Sequence, residues 1–391
     1  MTDHTQPHDR ECSFAKEQCA MTEHNPLLEQ PAPDFDEMVR VLKGQHPPRR
    51  VHLVELGIDG EVLEVISERY LGRPWQSWGV TAFDWTPPEA YYEQYVNIYY
   101  RLGYDYAPIW ACYKGHPMPV YRIAADTAEQ NRGERKWVEE GKGLIQSWED
   151  LEAFPWDAIQ PDITPHVYTE KLLPPGMKQV ALTTLFEHSF ERLLGFEGMA
   201  YLLYDDPDLV KAVFDHWGQK VYDYYAAVIG MQSVGAIFHA DDMGFKTSTL
   251  IAPDALRKLV FPWFRRYAEL AHTHGKPFFL HSCGNLYRQG VIEDLIEDVK
   301  IDGLHSFQDV ILPVTDFKAT YGHRVATLGG VDVDKIARLD EGSLRAYVRD
   351  ILEKCMPGGR FALGTGNTVA NYVPVEHFAI MLEESRAWRP S

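Results

Sequence analysis

"VGAIFHADDMGFKTSTLIAPDALRKLVFPWFRRYAELAHTHGKPFFLHSCGN", residues 234–285, reads as strand, helix, strand. Its two ends, "VGAIFHA" (234–240) and "PFFLHSC" (277–283), are short, apolar and rich in β-formers. The span between them, "APDALRKLVFPWFRRYAELAHTHG" (252–275), has helical periodicity, with Pro262 predicting a kink and Gly275 a stop. Such alternation is the signature of βα units around a parallel sheet.

Outward from this unit the same alternation recurs from about residue 50. Further candidate strands are "VHLVELG" (51–57), "YDYAPIW" (104–110), "QVALTTL" (179–185), "IDGLHSF" (301–307), "RVATLGG" (324–330) and "RFALGTG" (360–366). With the two above they make eight, which predicts an α/β chain folded as a (β/α)8 TIM barrel. "GEVLEVISERYLG" reads as a helix with Val62, Val65, Ile66 and Tyr70 on one face, and "DDPDLVKAVFDHWGQKVYDYYAAVIG" as one with an acidic cap and Pro207 in its first turn. No "GxGxxG" follows the first strand, so a dinucleotide-binding fold lacks its main support. The expected organisation is a flexible N-terminal tail over 1–33 and a single barrel domain over 34–391. A long insertion over 113–178, between the second and third strands, is expected to act as a cap and to hold a hairpin near "GERKWVEEGKGLIQSW".

Composition narrows the function classes. With 38 basic against 57 acidic residues the formal charge is −19, which repels phosphate backbones and anionic headgroups, so neither nucleic acid nor a membrane is an expected partner. No stretch reaches the ~20 apolar residues of a membrane span, and the opening "MTDHTQPHDRE" lacks the order of a signal peptide, so a cytoplasmic protein is expected. The five cysteines, at 12, 19, 112, 283 and 355, are too scattered for a disulfide framework.

In a barrel the site forms at the C-terminal ends of the strands, where the loops converge. At those ends stand Asp59, Cys112, Glu187, His188, His239, Asp241, Asp242, His281, Cys283, His305, Asp309, Asp332, Thr365 and Asn367. His281 and Cys283 are two apart in extended chain and point the same way, which suits zinc or a small packed core. A catalytic zinc needs a third protein ligand, for which Asp242, then Asp241, then Glu187 are candidates. Asp241, Asp242 and His305 are candidate catalytic groups, the aspartates alternatively capping the next loop and His305 alternatively a core histidine. Trp85, Glu187, His239 and Asn367 are candidate substrate contacts. Trp75, Trp78, Phe83, Trp85 and Tyr91 could line a pocket for an aromatic ring or belong to the core.

"HADDMG…KPFFLHSCGN", "IDGLHSFQ", "LGGVD" and "ALGTGNTVANYVPVEHF" resemble the uroporphyrinogen decarboxylase superfamily, particularly its zinc-containing, cobalamin-dependent methyltransferases, over about residues 50–385. The resemblance implies a (β/α)8 barrel that moves a methyl group between a small thiol or aromatic methyl ether and the cobalt of a corrinoid carried by a partner protein. Of the family's zinc ligands His281 and Cys283 carry over, so the site is either a one-thiolate zinc site completed by a carboxylate, with Asp242 preferred, or no metal site. Two features depart from the pattern. The arginine-rich "RQAGRY" of true decarboxylases is replaced by the acidic "VELGIDGEV", and the second cysteine of the thiol-methylating members, near the last strand, is replaced by "GTGN". A metal-free decarboxylase, a binding barrel without turnover and a zinc hydrolase or lyase are the alternatives.

Overall fold

The apolar runs condense into one parallel sheet. In the computed structural model, which describes residues 24–76, 87–117, 121–125, 134–138 and 143–390, seven strands follow one another in space as they do in sequence. They are β1 (Tyr106–Trp110), β2 (Lys178–Leu182), β3 (Val234–Ala240), β4 (Phe278–His281), β5 (Gly303–His305), β6 (Ala326–Leu328) and β7 (Phe361–Ala362). All neighbouring pairs are parallel. The sheet curls around an interior: Tyr106 at one edge and Ala362 at the other belong to one buried cluster with Val180, Leu182, Phe238, Phe279 and Leu328. Phe35, Met38 and Leu42 of the helix Phe35–Leu42 join that cluster. Burying side chains of this size contributes roughly 2–3 kcal/mol each.

The eighth expected strand departs from expectation. Residues 51–58 make only isolated parallel bridges, Leu53 with Leu363 and Ile58 with Val369, supported by Val54 N–H to Leu363 O at 2.8 Å and Leu363 N–H to His52 O at 2.9 Å. Among the described residues no ladder joins this segment to β1. A side chain stands in for it: the Tyr106 hydroxyl donates to Glu55 O at 2.7 Å and accepts from Glu55 N–H at 3.0 Å. The phenol satisfies the Glu55 N–H and C=O, two of the groups that a ladder would pair. Val54 and Leu56 still join the interior cluster.

The helical layer follows local chemistry. The helix Pro207–Val228 starts at Asp206, whose carboxylate accepts Leu209 N–H, and buries Trp217, Val221, Tyr224 and Tyr225. The kink expected at Pro262 is a break between helices Pro253–Leu259 and Phe261–Thr273, and Gly275, at φ +71°, follows the second.

Within the insertion, Cys112–Lys114 pairs antiparallel with Gln160–Asp162, and Tyr121–Ala125 pairs with Glu134–Val138 as a hairpin. Residues 1–23 of the expected tail lie outside the described residues. From residue 24 the chain is docked: Leu27 is buried, and Leu28 exchanges hydrogen bonds with Arg101. No described helix is long and apolar enough to cross a membrane.

Candidate metal and active site

Strand parity decides which rim residues meet. Phe279 faces the interior, so His281, two positions on, faces it too, with Cys283 continuing that side beyond the strand end. His305 of β5 is in register with His281, which brings the rings side by side, 4.9 Å between centroids. In β3, Phe238 and Ala240 face inward; His239 and Asp241 therefore face the helices.

Asp242, in the loop after β3, comes back over the end of β4. One ligand-type atom from each of Asp242, His281 and Cys283 lies within 4.8 Å of the others. Asp242 Oδ1 is 3.2 Å from His281 Nε2 and accepts Cys283 N–H at 2.7 Å; Cys283 Sγ is 3.7 Å from His281 Nε2. The Asp242 side chain is 35% exposed against 5% for His281, so the group opens to solvent on the aspartate side. The crossing of the two loops requires glycine. A Cβ on Gly284, at φ +99°, would lie 2.1 Å from the backbone of Gly244.

Hydrogen bonds assign the tautomers. Thr365 O can only accept, so His305 Nε2 carries a proton toward it at 3.0 Å. Burial, then the neighbouring His281 ring, push His305 well below the usual histidine range, so its ring is neutral and Nδ1 is an acceptor. His281 Nδ1–H donates to it at 2.7 Å. In neutral His281 the Nε2 lone pair then points at Asp242 and Cys283, the form a metal requires. Glu55 holds Thr365 in place, accepting its N–H at 2.8 Å and its hydroxyl at 2.5 Å. Burial raises the Glu55 carboxyl to about 8 despite those bonds.

Two polar groups surround the sulfur: Asn367 Nδ2–H donates to Cys283 Sγ at 3.0 Å, and Ser306 Oγ lies 3.4 Å away. Burial, then the Asp242 charge, push the thiol well above its ordinary value, so without a cation it is protonated at neutral pH. Burial also pushes Asp242 up, but when His281 is protonated its Nε2–H hydrogen bond and charge, with the Cys283 amide, outweigh burial and hold this carboxyl below its ordinary range; a cation would take the place of that Nε2 proton. Imidazole nitrogen, sulfur and carboxylate oxygen converging, with donors behind the sulfur and a fixed ring behind the nitrogen, suit a zinc site with one side open.

Several expectations change with this geometry. Asp241, a candidate catalytic group, lies away from the rim cluster. It is fully buried and accepts Leu185 N–H, Phe186 N–H, Glu187 N–H and His239 Nε2–H, which holds the loop after β2. His239, a candidate substrate contact, also faces away from the sheet interior. Its ring lies among Phe264, Tyr267 and Phe278, with Nδ1 bonded to the Tyr225 hydroxyl at 2.8 Å. His305, a candidate catalytic group, is fully buried behind His281 and hydrogen-bonded to its ring.

Glu187, carried by the loop that Asp241 holds, sits against Asp242. Burial, then the charges of Asp242 and Asp241, push its carboxyl well above the ordinary range. Trp78, Phe83 and Trp85 lie outside the described residues. Trp75 and Tyr91 are 5.6 Å apart, packed on the core. Glu55 and Ser306 were not anticipated. An acid inside the apolar run "VHLVELG" was the available signal for Glu55.

Residues 191–388, slightly more than half the chain and the part that carries the Asp242, His281 and Cys283 cluster, match the family model of uroporphyrinogen decarboxylase (URO-D). The chain belongs to the URO-D family. Among solved structures, this URO-D family chain is similar to a methyltransferase from Methanosarcina mazei, at 16% identity over 89% of this chain and 96% of that one, with a TM-score of 0.61. That likeness is one of fold. A β-L-arabinopyranosidase from Geobacillus stearothermophilus is 10% identical over 89% of this chain and 79% of its own, with a TM-score of 0.36. A sugar phosphate isomerase/epimerase from Parabacteroides distasonis is 12% identical over 55% and 79%, with a TM-score of 0.33. No curated protein matches the URO-D family chain in sequence.

Proposed function

We propose that the chain is a zinc-assisted methyltransferase of the URO-D family, moving a methyl group between a small thiol or methyl ether and the cobalt of a corrinoid carried by a separate protein. The observation that carries this reading is the convergence of Asp242, His281 and Cys283 at the open end of the curled sheet. These three would hold the cation. Once bound there, it supplies Lewis acidity, favouring the anion of a thiol or the departure of an ether oxygen.

The protein's own groups do the rest. His305 and Thr365 present the His281 lone pair, Asn367 and Ser306 support the sulfur, and Glu187 is the titratable side chain placed beside Asp242 for proton handling. Porphyrinogen decarboxylation fits less well. Residues 54–62 carry Glu55, Asp59 and Glu61 and no arginine, whereas a substrate with many carboxylates needs cationic partners.

Metal analysis and a transfer assay test the proposal together. Wild type from zinc-replete medium is expected to hold about one equivalent of zinc and Cys283→Ser far less. The loaded protein is expected to demethylate methylcobalamin with a thiol acceptor, or to methylate reduced cobalamin from an aryl methyl ether. Zinc-free wild type, or loaded protein that moves no methyl group in either direction, overturns the reading.

A further inference from the structure

A cavity of about 460 Å³ lies beyond Asn367, the residue whose amide touches the Cys283 sulfur. It runs between the loops after β5, β6 and β7, and a volume of this order holds a small organic ligand. Its apolar wall includes Phe307, Val310, Val333 and Tyr372, with Val310 69% and Tyr372 55% exposed at the mouth.

The charged groups lining the cavity already have partners. Lys335 Nζ is 2.6 Å from Asp309 and lies 4.2 Å from the centroid of the Tyr347 ring, and the same Asp309 oxygen accepts the Tyr347 hydroxyl. Asp332 accepts the backbone N–H groups of Asp309, Asp334 and Lys335. Asp334 pairs with Arg338. A ligand entering here finds no unpaired cation in the lining and meets three carboxylates against one ammonium. An anionic tail is opposed by that field, while an uncharged ring or branched chain gains the apolar wall.

We infer that this cavity receives the uncharged, aryl-sized remainder of the substrate and rejects anionic tails. The inference rests on the proposed function in placing the reacting heteroatom at Asp242, His281 and Cys283. It names the substrate class of that site: neutral aryl ethers or thiols rather than sulfonated or carboxylated ones.

The test separates the cavity from the metal. On metal-free protein, saturation-transfer NMR compares 4-methylanisole with 4-methoxybenzenesulfonate, of similar length and differing in charge. The neutral ether is expected to give at least about threefold more transfer. Val310→Lys and, independently, Asp334→Lys are expected to shrink that ratio by admitting the sulfonate; the second substitution is on an exposed side chain, so folding is not at issue. Equal transfer from both ethers in wild type, or a ratio unmoved by either variant, overturns the inference. Because no metal is present, loss of the zinc reading leaves this result standing, and the reverse holds as well. On zinc-loaded protein, calorimetry with 4-methylbenzenethiol and 4-mercaptobenzenesulfonate is expected to show the same preference; equal affinities there also count against it.

Discussion

Nδ1 of His281 and Nδ1 of His305 lie 2.7 Å apart across two registered parallel strands, and the far nitrogen of His305 is fixed by Thr365 O at 3.0 Å. The pair works as one unit: a backbone carbonyl sets the tautomer of the second ring, which sets that of the first. His305→Phe keeps a ring but removes both nitrogens. Zinc affinity, read by competition with a chromophoric chelator, is expected to fall about 10- to 100-fold, the usual effect of losing the partner of a metal-binding imidazole. Affinity within twofold of wild type would remove His305 from that role.

The adjacent aspartates are expected to fail differently. Asp241 accepts three backbone N–H groups and one imidazole N–H in a fully buried setting. Asp241→Ala leaves those donors unpaired and is expected to cost about 3–5 kcal/mol of stability, seen in thermal or urea unfolding. Asp242→Asn, on a partly exposed side chain, is expected to unfold near the wild-type midpoint while losing zinc. A stable, metal-loaded Asp241→Ala that is merely inactive would restore the catalytic role expected from sequence.

These differences show what sequence can carry. Seven strands and the pairing of His281 with Cys283 follow from period-two patterning, which is local. That Asp242 rather than Asp241 joins them follows from parity in β3, where Phe238 and Ala240 face inward; two adjacent identical residues carry no other local distinction. The Glu55 to Thr365 contact spans 310 residues and depends on how the first segment docks beside the last strand. A tyrosine hydroxyl replaces the ladder at the β1 seam. The acid in "VHLVELG" marks Glu55 as unusual, but neither partner is legible locally, because both contacts come from tertiary placement of single polar atoms in apolar runs.

Glu55 makes stability depend on pH in a definite direction. Its carboxyl sits near 8 when folded, against an ordinary value of 4.5, so above pH 4.5 the unfolded chain releases a proton that the folded chain keeps. Stability from this group is therefore lost progressively as pH rises from about 4.5 to 8, on the order of 5 kcal/mol in total. Glu55→Gln cannot ionise. It is expected to leave the unfolding midpoint near wild type at pH 5 and raise it at pH 8, measured by calorimetric scans across that range. Parallel pH profiles for the two proteins would show that Glu55 is ionised in the folded state.

Asn367 stands near the last strand, where the resemblance calls for a second cysteine, and donates to the existing sulfur at 3.0 Å. Binding zinc requires the Cys283 proton to leave, and burial with the Asp242 charge makes that proton hard to remove. Apparent zinc affinity should therefore climb about tenfold per pH unit through the neutral range, one proton being released per cation. Asn367→Ala removes a donor that favours the thiolate and is expected to weaken binding at every pH without changing that slope. Asn367→Cys, in reducing buffer, offers a second thiolate. It is expected to bind zinc more tightly than wild type with a slope approaching two protons, read by chelator competition between pH 6.5 and 8.5. An unchanged slope and affinity in the cysteine variant would place residue 367 outside the reach of the metal, leaving Asp242 as the sole complement to His281 and Cys283.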